Sequence, residues 1–324
     1  MKKYVAAVIL VICLMLGACS GQEEPPAERT DSLGAAVSLS DDTVLLTIDG
    51  REIPAWRYLY WLAYACQRVQ ERYETAELTL DWETPVSGGT LTDYVKDQAL
   101  ADTALYATVE NWAEEYGCAE PRENVSGSAR LPDLGLTTEQ MEKLNRVGQM
   151  YGALFDLYCT EGSKLAPTRE TLTVFGERSG AVTLERLMVP FGEDREAARD
   201  RASELFAEIN GAADQAAAFS SLGSRYGDGT GIRTLLPGTD QEELMEAAQT
   251  LEEGQCSGIL ELKDGFSILR RLPLDTDALK EACFDVMLQT AAENSVVTTT
   301  QAYLALDPVT FAEALLAEGQ SATE

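Results

Sequence analysis

The chain has 324 residues, of which 45% are hydrophobic and 24% charged, and its formal net charge is −29. A surface this acidic repels phosphate backbones, so we expect no nucleic acid among its partners. The sequence contains no histidine, which excludes Ser-His-Asp and Cys-His catalysis, and we predict neither a metal site nor a cofactor.

The N-terminus has the pattern of a bacterial lipoprotein signal. Two lysines precede an apolar stretch over residues 4–16, which is too short for a stable membrane span. The LGAC that follows resembles the lipobox, in which a lipid is attached to the cysteine. We predict a signal peptide over residues 1–18, lipidation of Cys19, and an extracytoplasmic, lipid-anchored location on the cell membrane. A plain secretory signal with an incidental cysteine is the alternative. Polar residues 19–42 predict a flexible tether.

The first folded part is predicted to be mainly helical. Alternating apolar residues flank Asp49-Gly50 and predict a β-hairpin over residues 43–53. Apolar residues at three- and four-residue steps then predict three helices, over residues 54–73, 91–116 and 138–161. Amphipathic helices bury their apolar stripes by packing together. We therefore expect a helical domain over residues 43–166, and we expect helices within 276–318 to complete it.

Residues 178–275 have a different pattern. The predicted order is a strand, two helices, a glycine-rich loop with an optional strand, a third helix and two strands. These elements cover residues 181–190, 194–210, 213–222, 226–238, 240–250, 256–263 and 265–272. The last two strands join tightly at Lys263-Asp264-Gly265. This order predicts a compact α+β domain. The whole chain is therefore predicted to be α+β, with a helical domain and a small α+β domain.

Segment 181–272 resembles a parvulin-type, or rotamase, domain. VTLERLMV resembles the first strand of that family, and LEEGQCSGILELKDGFSILRRL resembles its C-terminal strands, with Gly254, Ser257, Gly265 and Phe266 on pattern. With the lipobox and the segment TIDGREIP, the chain is similar to PrsA-type and SurA-type foldases. The resemblance implies a chaperone-like helical domain and a membrane-anchored folding factor that binds unfolded or extended secreted polypeptides.

The resemblance also implies a catalytic site, and this chain departs from it. The family uses two histidines and an Asp or Cys, and these positions fall on Arg186, Ser267 and Gly229. We therefore assign no catalytic residue. Prolyl isomerisation breaks no covalent bond, so an active isomerase with a rearranged site remains an alternative. For Arg186, the simpler interpretation is pairing with a nearby carboxylate.

Client binding is predicted to use apolar residues of both domains, namely Leu235, Leu236, Leu244, Met245, Trp56 and Tyr60. Plain core packing is the alternative interpretation for each of them. A third functional alternative is an assembly or docking lipoprotein without catalysis. The sequence leaves the oligomeric state open.

Five cysteines remain beyond the signal region: Cys66, Cys118, Cys159, Cys256 and Cys283. Their number is odd and their spacings are wide, so no disulfide pairing can be assigned. Buried thiols are the simpler interpretation, and a disulfide is the alternative in an oxidising compartment.

Overall fold

The structure is a computed structural model that describes residues 33–119, 131–132, 134–225, 231–238 and 242–321. Its mixture of helices and small antiparallel sheets confirms the predicted α+β class. The described chain divides into two compact units. We call residues 166–283 the central unit, and residues 33–165 together with 284–321 the helical unit.

The helices and strands are numbered in chain order. The α-helices are α1 Ala55–Thr75, α2 Leu91–Glu115, α3 Thr138–Cys159, α4 Arg169–Ser179, α5 Arg195–Gly211, α6 Gln215–Arg225, α7 Glu242–Gln249, α8 Lys280–Glu293, α9 Gln301–Leu304 and α10 Pro308–Ser321. The strands are β1 Val44–Ile48, β2 Arg51–Pro54, β3 Pro85–Val86, β4 Gly89–Thr90, β5 Val182–Pro190, β6 Gly231–Leu235, β7 Leu260–Glu261, β8 Gly265–Leu272 and β9 Val297–Thr299. Short 3-10 turns cover Ala35–Val37 and Asp277–Leu279.

Helix α1 lies at the centre of the helical unit. It begins directly after Pro54, whose ring restricts φ and whose missing N–H costs nothing at a helix start. Its aromatic side chains pack into the core, and the rings of Tyr60 and Trp61 meet edge to face at 5.1 Å. Helix α2 packs against α1 and begins at a capping box in which Thr90 and Asp93 bond each other's backbone N–H.

A three-stranded antiparallel sheet in the order β2-β1-β9 joins distant parts of the helical unit. Its hairpin turns at Asp49 and Gly50, which both have positive φ, 48° and 87°. This confirms the predicted hairpin. Strand β9 pairs with β1, and the Val296 N–H donates to Asp49 Oδ1 at 2.8 Å. Strand β9 was not predicted, because three residues are too few for a recognisable alternation.

The central unit is built on a four-stranded antiparallel sheet in the order β6-β5-β8-β7. Successive side chains of a strand point to opposite faces. One face of β5 carries Val182 and Leu184, which pack against α7. The other face carries Leu187, which packs with residues of α5 and α6.

Two predicted elements are wrong in extent. Residues 33–42 belong to the folded helical unit rather than to a tether, because Leu33 is 3% exposed and Leu39 packs on the same core. The predicted strand 256–263 is reduced to β7. The Leu269 N–H donates to the Ser257 side-chain oxygen at 2.9 Å, and this bond interrupts the regular ladder. The rest of the predicted tether, residues 19–32, lies outside the described residues.

The cysteines of the described residues form no disulfide with one another. Cys66, Cys118 and Cys283 are buried, as the thiol interpretation predicts. Cys256 is half-buried, and Cys159 is exposed, so the interpretation is wrong for that residue. Over the part of the chain that the structure describes, no helix combines the length and apolar character that crossing a bilayer requires.

Candidate functional site

Strands β5 and β8 bring together Arg186 and Ser267, the two residues that the parvulin resemblance predicts at histidine positions. Arg186 is in register with Leu269, and Ser267 with Met188, so Arg186 and Ser267 are diagonal neighbours on one face of the sheet. The Arg186 Nε–H donates to Ser267 Oγ at 2.9 Å. The two residues predicted at histidine positions thus form a hydrogen-bonded pair.

Asp264 completes this arrangement from the turn between β7 and β8. Arg186 Nη2 donates to Asp264 Oδ1 at 2.8 Å. The next residue, Gly265, allows the turn to lie close to β5, since a Cβ there would be 2.4 Å from the Val189 carbonyl oxygen. The structure confirms that Arg186 pairs with a carboxylate. The sequence did not identify which carboxylate pairs with Arg186, although Asp264 lies in the predicted Lys263-Asp264-Gly265 turn.

Burial differs sharply among the three partners. Ser267 is fully buried and Arg186 is 4% exposed, whereas the Asp264 side chain is 52% exposed. The hydrogen bond from Arg186 holds the pKa of the Asp264 carboxyl below its usual value, and the charges of Arg186 and Arg233 lower it further. A guanidinium stays protonated in proteins, so Arg186 can hold an acceptor in place but does not exchange protons. The one group of the set with a resolved titration shift is Asp264, and its lowered pKa makes its carboxylate a weak base.

Glu185, the neighbour of Arg186 in sequence, points to the opposite face of the sheet and belongs to a separate ion pair. It is 8% exposed and accepts from Arg270 Nε at 3.0 Å and from Nη2 at 2.5 Å. Arg270 also lies over the Phe219 ring, 5.7 Å from its centroid. This buried pair was not predicted, and it joins β5 to β8 behind the candidate site.

The apolar residues predicted to bind client in the central unit are mostly core residues. Leu235, Leu244 and Met245 are 7%, 3% and 4% exposed and fill the space between the sheet and α7. Burial of such side chains stabilises each by about 1.5–3 kcal/mol, which explains why the fold covers them. Their client-binding role is corrected to core packing. Leu236 is half-buried, and its role stays a prediction.

The predicted client residues of the helical unit are corrected in the same way. Trp56 is 6% exposed, and Tyr60 is fully buried with its hydroxyl donating to the Pro132 carbonyl at 3.0 Å. Neither side chain presents surface to a client. Two other predicted sites, Gly229 and Cys19, lie outside the described residues.

Strand β6 has an outer side that was not predicted as a client-binding surface. It is an edge strand of the central sheet, and among the described residues its outer side pairs with no other strand. Ile232 on this strand is 63% exposed. The edge of a sheet is a place where an extended polypeptide can add as a further strand.

Comparison with known proteins places the central unit in a family. Residues 184–272 match the family model of the rotamase, or PPIC-type PPIASE, domain. This match confirms the parvulin resemblance, and the central unit is a rotamase domain. No curated protein shows significant similarity to the chain.

The chain also aligns with several solved structures. The foldase protein PrsA from Streptococcus pneumoniae is 15% identical, with 81% of this chain and 84% of that chain covered and a TM-score of 0.25. PrsA from Bacillus subtilis is 14% identical, with 87% and 93% covered and a TM-score of 0.24. A SurA-like chaperone structure from Campylobacter jejuni is 8% identical, with 80% and 99% covered and a TM-score of 0.18.

Proposed function

We propose that the protein is a lipid-anchored, extracytoplasmic folding factor that binds unfolded secreted polypeptides through a rotamase domain without isomerase activity. The rotamase match to residues 184–272 supports a role in protein folding. The observation that supports the proposed loss of catalysis is the Arg186–Ser267–Asp264 arrangement.

The chemistry of isomerisation explains why this arrangement matters. The barrier to rotation about a prolyl bond is about 20 kcal/mol and comes from amide resonance. An enzyme lowers it by stabilising the twisted amide with groups that are free to contact it. Arg186 is buried, and two of its nitrogens are engaged by Ser267 and Asp264. Turning it toward a substrate would leave Ser267 and a buried positive charge without partners, which is costly.

Polypeptide binding is assigned to the β6 edge. An extended chain that adds to an edge strand gains backbone hydrogen bonds whatever its sequence, which suits a factor with many clients. Ile232 adds an exposed apolar contact at that edge. The buried residues first considered for this role do not supply such a surface.

Aggregation of a reduced secreted protein tests the binding function. The chain over residues 20–324 should suppress light scattering at equimolar concentration. Ile232→Lys should weaken the suppression, because a charge on an edge strand disfavours strand addition. Val174→Lys is the matched control, since Val174 is a 39%-exposed apolar residue on helix α4. Absence of suppression by the wild-type chain would favour the docking lipoprotein, and equal effects of both variants would contradict the β6 assignment.

The anchor is tested separately in cells. Cys19→Ser should abolish incorporation of a labelled fatty acid into the protein, because the thiol to which the lipid is attached is removed. Incorporation of the label into this variant would contradict lipidation at Cys19.

A further inference from the structure

A cavity of about 540 Å³ opens in the central unit, and its lining includes none of the three residues of the candidate site. Helix α4 forms one wall with Arg169, Thr173 and Glu177, which lie on one face at four-residue steps. Arg271 and Val182 line it from the sheet. Its volume is within the range of roughly 300–1,000 Å³ that ligand sites in proteins occupy.

The cavity is lined by two arginines, Arg169 and Arg271, although the chain as a whole is strongly acidic. The sequence has 54 acidic and 25 basic residues. Arg169 acts on Asp277, whose carboxyl pKa is lowered first by Lys280 and further by the Arg169 charge. Arg271 Nη1 makes a long bond, 3.4 Å, to the Ala248 carbonyl at the end of α7. That bond uses one of about five N–H donors in the group. Both side chains therefore have donors to offer a ligand.

The burial of the charged groups indicates whether the ligand carries a negative or a positive charge. Arg169, Glu177 and Glu253 all line the cavity and all three are exposed, so water solvates and screens their charges. Arg271 is half-buried beside Val182, which is 2% exposed. A half-buried charge without a counterion loses solvation that a bound carboxylate would compensate. The gain on binding is therefore larger for an anion than for a cation.

We propose that this cavity binds carboxylate side chains of an extended acidic peptide. Arg271 forms the deeper, bidentate pair, Arg169 supplies a second guanidinium, and Leu274 contributes an apolar wall. The site gives the folding factor a preference for acidic client segments. That the ligand is a peptide rests on the proposed function, whereas the carboxylate preference rests on the two arginines alone.

Fluorescence anisotropy with two labelled peptides tests the proposal on the chain over residues 20–324. One peptide carries Asp and Glu, and the other carries Asn and Gln at the same positions. The wild type should bind the acidic peptide at least about tenfold more tightly, equivalent to about 1.4 kcal/mol. Arg169→Gln with Arg271→Gln should abolish this difference. Arg178→Gln is the matched control, because Arg178 is exposed on the same helix α4 and does not line the cavity.

A second pair of substitutions tests whether negative charges in the cavity weaken binding of the acidic peptide. Glu177→Gln with Glu253→Gln should tighten binding of the acidic peptide, since it removes like charges from the cavity. The proposal is overturned if the arginine double variant retains the wild-type preference while circular dichroism shows it folded. It is also overturned if the Gln and Asn peptide binds the wild type equally well.

Glutarate separates failure of this inference from failure of the proposed function. If neither peptide binds but glutarate raises the melting temperature of the wild type and not of the arginine double variant, the carboxylate site stands and polypeptide binding fails. If the peptides bind without regard to charge, polypeptide binding stands and this inference fails. If neither peptide nor glutarate affects the wild type, both are wrong.

Discussion

The two partners of Arg186 should contribute unequally to the stability of the central unit. Ser267→Ala removes the acceptor of the Arg186 Nε–H at a fully buried position, and a buried charged donor left without a partner costs ~1–3 kcal/mol. Asp264→Asn removes a charge whose side chain is 52% exposed. Exposed ion pairs contribute only ~0.2–1 kcal/mol. We therefore expect the serine variant to be the less stable of the two.

Urea unfolding followed by two probes measures this difference. All of the chain's tryptophans lie outside the central unit, so their fluorescence reports on the helical unit, whereas far-UV circular dichroism reports on both. The loss of stability should be larger for Ser267→Ala in the dichroism transition. An aspartate variant that is as destabilised as the serine variant, or more so, would refute the reasoning that burial decides between the partners.

Three further predictions concern other parts of the molecule. The pKa of Asp264 is lowered in the folded protein, so the ionised carboxylate contributes its full stabilisation above the usual carboxyl pKa of about 3.9. The stability difference between wild type and Asp264→Asn, measured by urea unfolding, should be constant from neutral pH down to that value and should vanish as the pH falls below it. A difference that grows on acidification would contradict the assignment. Gly265→Ala should destabilise the central unit by about 1–3 kcal/mol, because the added Cβ would overlap with β5. The same dichroism titration measures this loss. Gly258→Ala is the control and should change the stability little, because a Cβ there meets nothing within 4 Å. Burial raises the pKa of the Cys66 thiol to about 12. Iodoacetamide should therefore label the exposed Cys159 quickly in the native protein and Cys66 only after unfolding, as measured by peptide mass spectrometry. Rapid labelling of Cys66 in the native protein would contradict its burial.

The sequence predicted the local elements well where the local signals were strong. The Asp49-Gly50 hairpin and the helix after Pro54 have turn and cap chemistry that acts over a few residues, and both lie where it indicates. Strand β9 has only three residues and is defined by its pairing with β1, far away in sequence. Such pairing leaves no local pattern.

The candidate site was predicted in part. The pattern placed Arg186 and Ser267 at the family's histidine positions, but only the register of β5 with β8 shows that they bond each other. Apolar composition could not distinguish a client surface from a core, and Leu244 and Met245 belong to the core because α7 covers that face of the sheet. The exposed edge at Ile232 depends on strand order, which composition does not reveal.

Two-dimensional exchange NMR on a labelled unfolded peptide with one Xaa-Pro bond tests the central claim most directly, because one experiment reports both binding and isomerisation. With residues 20–324 present, we predict broadened or shifted peptide resonances and a cis–trans exchange rate equal to that of the free peptide. Exchange peaks that grow faster in the presence of the protein would show that the Arg186–Ser267 site catalyses isomerisation, and the proposed loss of activity would be wrong.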